Sequence, residues 1–159
     1  MKKILLLAVL FTTAYLQPAK AQDTTDQNRL NLVLQSYYKV KDALVNGNSN
    51  LASANATAFI KNINGISYTL ISEGNANALL KDAGAIADAK DLKKQREVFA
   101  HFSSNMAELA KGLKLSDQPI YLQYCPMQKA SWLSSEQAIK NPYYGSTMLT
   151  CGKVTETIQ

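Results

Sequence analysis

Sulfur is concentrated in one short stretch of this chain. Both cysteines, Cys125 and Cys151, and two of the four methionines, Met127 and Met148, lie between Tyr124 and Gly152. Thiolate and thioether sulfurs are soft donors that select Cu(I) and similar ions. Pro126 biases Cys125 toward extended backbone, where residues two apart share a face, so Cys125 and Met127 are expected to present sulfur to one side. Met148 and Cys151 are neighbours on a helical turn and equally reachable in a tight loop. Folding the segment back on itself would gather two thiolates and two thioethers around one soft monovalent ion. The spacing fits no standard zinc pattern, for which two CxxC pairs would be the specific signal. The same two cysteines also suit a disulfide, the usual fate of a pair in an exported protein. Closing that loop would stabilise the fold by about 3–4 kcal/mol on the chain-entropy model, with Met127 and Met148 packed beside it. Free thiols are the third alternative.

The surroundings of these sulfurs are aromatic. Tyr121, Tyr124, Trp132, Tyr143 and Tyr144 cluster in the same segment. They suit packing of a tail against a larger body, a hydrophobic shell that keeps water from a metal, or a docking patch. His101, the single histidine, stands at the edge of a helical apolar stripe and is at most an extra ligand. Its position reads more simply as a half-exposed surface residue. Catalysis finds little footing, since there is neither a GxSxG elbow nor an HExxH pair. Glu97 and Glu108 stand too far apart along one helix for paired-carboxylate chemistry. A non-enzymatic protein is expected.

The elements that must position these residues are largely helical. Leu30, Val33, Leu34, Tyr37, Tyr38, Leu44 and Val45 recur at helical spacing, with Asp26 as a candidate cap and Gly47 as a stop. A second stripe runs Ala52, Ala56, Phe59, Ile63, Ile66, Leu70, with a cap among residues 48–50 and a bend at Gly65. A weaker helix covers residues 76–87, and Leu92, Phe99, Phe102, Met106, Leu109 and Leu113 mark the clearest one. Short connections between such helices predict a mainly α, up-and-down bundle of three to four helices. From Pro119 the character changes into a tail, residues 119–159. There Ile120–Tyr124 and Val154–Ile158 favour strand and predict a small antiparallel ladder, with one helical turn from Ser134 or Ser135 to Ile139 between them.

The N-terminus bears on compartment. Lys2 and Lys3 precede an apolar run from Ile4 to Phe11, and Ala19-Lys20-Ala21 is a small-x-small cleavage pattern. The run is too short to span a bilayer, which takes about 20 apolar residues. Residues 1–21 are therefore expected to be a cleaved signal peptide. Residues 22–159 then form one soluble periplasmic domain, with no cysteine near the cleavage site to carry a lipid. Without Lys2, Lys3 and Lys20, 14 basic residues face 12 acidic ones, a net charge of about +2. No basic stripe interleaves with aromatics, which argues against nucleic acid.

Read as YCPMxxxxWLSxxxxIxNPYYGxxMLxCGxV, residues 124–154 closely resemble an uncharacterised bacterial family, the domain of unknown function numbered 3347. The helical portion upstream resembles it in length and pattern. Similar domains stand at the C-terminus of periplasmic adaptors from copper- and silver-type efflux systems. The resemblance thus implies an exported protein that takes Cu(I) or Ag(I) and meets heavy-metal efflux components. It carries Cys125, Met127, Met148 and Cys151 over as ligands, with His101 as a weak extra. No adaptor portion precedes the domain, so a stand-alone metal-binding or metal-delivering protein is the closer expectation.

Overall fold

Helical periodicity organises the first two thirds of the computed structural model, which describes residues 19–159, with side chains from Thr25 onward. The expected export signal lies almost wholly outside the described residues. Helix α1 (Ala19–Val45) buries Leu30, Val33, Leu34, Tyr37, Tyr38 and Leu44, the stripe expected of it. It begins well before Asp26, which is therefore an interior residue and not its cap. Gly47 stops it from the left-handed region, at φ 69°.

Helix α2 (Ser49–Ile63) opens on Asn48, whose Oδ1 accepts the Leu51 N–H at 2.9 Å, and it buries Ala52, Ala56, Phe59 and Ile63. The helix ends two residues before Gly65. Ile66 is buried from the following turn, not from a bent helix. Helix α3 (Glu73–Asp88) is capped by Ser72, and α4 (Leu92–Gly112) by Asp91, whose carboxylate accepts the Lys94 N–H at 3.0 Å. Successive helices pack on one another, giving a four-helix bundle. Its centre is aromatic: Tyr37, Phe59, Phe99 and Phe102 meet with centroids 4.7–6.1 Å apart. Among the described residues no helix is long and apolar enough to cross a membrane.

The tail forms a three-stranded antiparallel sheet, ordered β2-β1-β3, from β1 (Ile120–Cys125), β2 (Ala130–Ser134) and β3 (Lys153–Ile158). The expected β1–β3 ladder is present, and β2 is an addition to it. Ala130–Ser134 pairs with β1 because the turn Pro126–Lys129 brings the chain straight back, with Lys129 in the left-handed region at φ 55°. The helical turn expected before Ile139 does not form. Gln123, wholly buried on β1, donates its Nε2 to the carbonyls of Glu136, Gln137 and Ala138 at 2.8, 3.2 and 3.3 Å, so these carbonyls are occupied by a side chain in place of a helical ladder.

Two contacts seat the tail on the bundle, one through the sheet and one through the loop after β2. The Tyr37 hydroxyl, buried on α1, accepts the Leu133 N–H of β2 at 3.0 Å and shares a hydrogen bond with the Ser103 hydroxyl of α4. Burial pushes the Tyr37 phenol well above its ordinary pKa, so it remains a neutral donor and acceptor. Arg96 of α4 donates Nη2 to the Leu44 carbonyl at 2.8 Å, neutralising the C-terminal end of α1. Gly145 lies against this guanidinium at φ 58°. A Cβ there would stand 2.5 Å from Arg96 Nη2 and 2.8 Å from the Val45 carbonyl, so no larger residue fits.

Replacing the phenol tests the first contact. Tyr37→Phe keeps the ring packing but leaves the buried Leu133 N–H unpaired, an expected loss of about 1–3 kcal/mol. Urea denaturation followed by far-UV circular dichroism would read this as a lower midpoint with an unchanged slope.

Candidate thiol site

Cys125 ends β1 and Cys151 lies two residues ahead of β3, so the two cysteines stand at the adjoining ends of neighbouring strands. Their encounter depends on a bulge. Leu122 pairs with Glu156 but Gln123 pairs with Val154, leaving Thr155 as an extra residue on β3, its hydroxyl donating to the Leu122 carbonyl at 3.1 Å. Continued at the shifted register, Gly152 falls opposite Cys125. This glycine has no room for a side chain: a Cβ would lie 2.9 Å from the Trp132 ring and 3.0 Å from the Tyr124 carbonyl. The closeness of backbone and indole brings Cys151 up to β1.

The two sulfurs are 3.8 Å apart and not bonded to each other. Each meets a backbone donor from the turn after β1. The Gln128 N–H points at Cys125 Sγ, 3.4 Å away, and the Met127 N–H faces Cys151 Sγ. At Cys151, removal from water and the adjoining Cys125 thiol outweigh that donor and raise the pKa. Cys125 is wholly buried, whereas Cys151 is half-buried.

Around Cys151 the chain is organised by Asn141, a wholly buried residue. Its Nδ2 donates to the Cys151 carbonyl at 2.7 Å. Its Oδ1 accepts the N–H groups of Tyr143 and Tyr144 at 2.8 and 3.3 Å, and its own N–H reaches the Leu149 carbonyl at 2.8 Å. One amide therefore ties both ends of the loop 141–151 together. The available signal was its place before Pro142, where an Asn side chain commonly satisfies the backbone of a turn.

The methionines stand differently from the expectation. Met127 lies in the turn after β1, not in extended strand, so the two-residue alternation with Cys125 does not apply. Its side chain is 62% exposed, and that of Met148 is 38% exposed. Met148 does sit in a tight loop with Cys151, whose N–H it accepts at 3.1 Å. Both methionines are thus exposed, on the two segments that carry the thiols.

Of the aromatic residues, Trp132 and Tyr143 are buried and meet edge to face at 5.9 Å, with the Tyr143 hydroxyl donating to the Ser131 carbonyl at 2.6 Å. Tyr124 and Tyr144 are half-buried. Tyr143 also reaches Phe99 of α4, so the aromatic group packs the tail onto the bundle. His101 is exposed in a groove between α3 and α4 lined by Ala78, Lys81, Asp82, Val98 and Asn105, and no tail residue lines that groove.

A cleft of about 730 Å³ opens between the end of α1 and the tail loop. Two of its three positive charges are paired with carboxylates, and the third is held by a carbonyl. Lys41 pairs with Asp42 at 2.9 Å, Lys140 with Glu136 at 2.7 Å, and Arg96 holds the Leu44 carbonyl. No group of three or more His, Cys, Asp or Glu side chains placed to hold a metal occurs among the described residues, so any ion would rest chiefly on sulfur.

Residues 33–118 match the family described as Protein of unknown function (DUF3347). The match runs from Val33 of α1 through α4 and stops before Tyr124, so it supports the family through the helices and not through the sulfur-bearing tail. No curated protein and no solved structure matches the chain.

Asn141→Ala would remove three buried side-chain hydrogen bonds and free the loop that presents Cys151. An expected destabilisation of about 2–4 kcal/mol would be read by denaturant unfolding. Cross-linking by a dithiol-specific reagent such as dibromobimane, rapid in the native pair, should fall sharply in the variant under folding conditions.

Proposed function

The chain belongs to the DUF3347 family, and on that footing we propose that it binds a soft monovalent ion, Cu(I) or Ag(I), through Cys125 and Cys151. The observation that carries this reading is the 3.8 Å separation of two unbonded sulfurs, each facing a backbone N–H from one turn. A pair held this way gives two soft donors with little reorganisation. The N–H groups offset part of the negative charge that forms when both thiols release their protons to a metal.

Met127 and Met148 serve in this reading as outer donors. Exposed and flexible, they suit capture of the ion and its release, leaving it before the thiolates do. Trp132 and Tyr143 close the inner side against water. The role is non-catalytic: sequestration outside the cytoplasm, or hand-over to heavy-metal efflux components by ligand exchange. Residues 1–21, as an export signal, would deliver the protein to the periplasm.

Competition titration against a Cu(I) chelator tests the assignment. Cys125→Ser should weaken binding by about 100-fold and Met148→Leu by about 10-fold. Unchanged affinity in both variants would eliminate the site.

A second reading rests on the same closeness of the sulfurs: a non-catalytic interaction module whose tail is pinned by a Cys125–Cys151 disulfide. Intact mass of freshly isolated protein after alkylation separates the two. Two added alkyl groups favour the metal reading, whereas an unalkylated chain lighter by two hydrogens favours the bridge.

A further inference from the structure

The two sulfurs touch, yet solvent reaches them unequally. Cys125 is wholly buried at the end of a central strand, while Cys151 is half-buried in the irregular segment ahead of β3. Residues 146–150, just before Cys151, are exposed, as is Lys153 just after it. Cys151 is held on its own backbone by the Met148 carbonyl and by Asn141, not by a strand ladder. Moving from contact at 3.8 Å to a sulfur–sulfur bond of about 2.05 Å asks for a displacement of roughly 2 Å, within reach of side-chain rotation and a small shift of that turn.

We propose that the Cys125–Cys151 pair is a redox gate on the metal site, entered through Cys151 and closed by a small-molecule disulfide. The proposal rests on the metal reading above. In the first step the Cys151 thiol loses its proton and its sulfur attacks one sulfur of the small disulfide. That disulfide bond breaks, a mixed disulfide forms on Cys151, and the departing thiolate takes up a proton. In the second step Cys125, already in contact, loses its proton and attacks the Cys151 sulfur, releasing the second small thiol. The protein gives up two electrons and two protons; the small disulfide receives them and becomes two thiols. A bridged pair has no thiolate to offer, so bridge and ion exclude each other.

The order of events follows from access. A mixed disulfide at Cys125 would force a bulky group into a position with no solvent exposure, against the Trp132 and Tyr143 packing. At Cys151 it projects along the exposed side of the turn. Cys125 is therefore the resolving sulfur, and its burial shields it until the entry sulfur has reacted.

Glutathione disulfide serves as the probe, with metal-free reduced protein and intact mass as the readout. Wild type should lose two hydrogens without accumulating an adduct. Cys125→Ser should accumulate one glutathione on Cys151, and Cys151→Ser should react at least about tenfold more slowly. Acid-quenched early samples of wild type, mapped by peptide mass, give the entry site without relying on either variant's folding. Oxidised wild type should keep its helical circular dichroism and lose Cu(I) competition. Wild type that stays reduced, an adduct formed first on Cys125, or undiminished Cu(I) binding after oxidation would each overturn the gate. A reduced protein that takes no Cu(I) would remove the metal reading beneath it, a separate failure because the glutathione arm contains no metal.

Discussion

Tyr37 stands at the junction between two kinds of structure. Its ring belongs to the helical core, stacked on Phe99 and tilted against Phe102, while its hydroxyl accepts the backbone N–H of Leu133 in the sheet. A small three-stranded sheet cannot bury enough apolar surface to persist alone. Here β2 rests on α4, and a buried backbone donor at its centre finds its acceptor only on α1. The thiol site is built on β1 and the segment before β3, so its geometry depends on the seating of the whole sheet.

From that seating the rest follows in layers. Arg96 and Gly145 bring the loop after β2 onto the end of α1, and Asn141 draws the far end of the same loop back to Cys151. Trp132 fills the space beneath, close enough to Gly152 that only a glycine passes. These contacts join segments remote in the chain, and none involves sulfur. The framework that brings the thiols together is therefore built without them.

The inequality between the sulfurs has the same origin. Cys125 ends the central strand, with β2 and β3 along its two edges, and is wholly buried. Cys151 lies where the chain is turning to enter β3 and no ladder covers it. Exposure of Met127 and Met148 extends the asymmetry outward, with soft donors on the solvent side and aromatic packing on the protein side.

The amino-acid sequence by itself determined the helices, because apolar residues at 3.6-residue spacing can be buried only as helical faces, and the stripes through Leu34, Phe59, Leu79 and Phe102 are all in the core. It also determined that sulfur and aromatic residues share one tail and that β1 and β3 favour strand. The start of α1 before Asp26 was not legible, since its early residues carry little periodicity. Strand β2 escaped notice because five residues with two adjacent large apolar side chains, Trp132 and Leu133, show no alternation. The bulge at Thr155, the hub at Asn141 and the role of Gly152 were decided by tertiary structure alone. Each expresses a distance between segments remote in the chain, and local sequence carries no measure of such distances. For the same reason the cysteines' types pointed to soft-sulfur chemistry, but only the folded sheet decided that Cys125 and Cys151 meet, and which of them faces water.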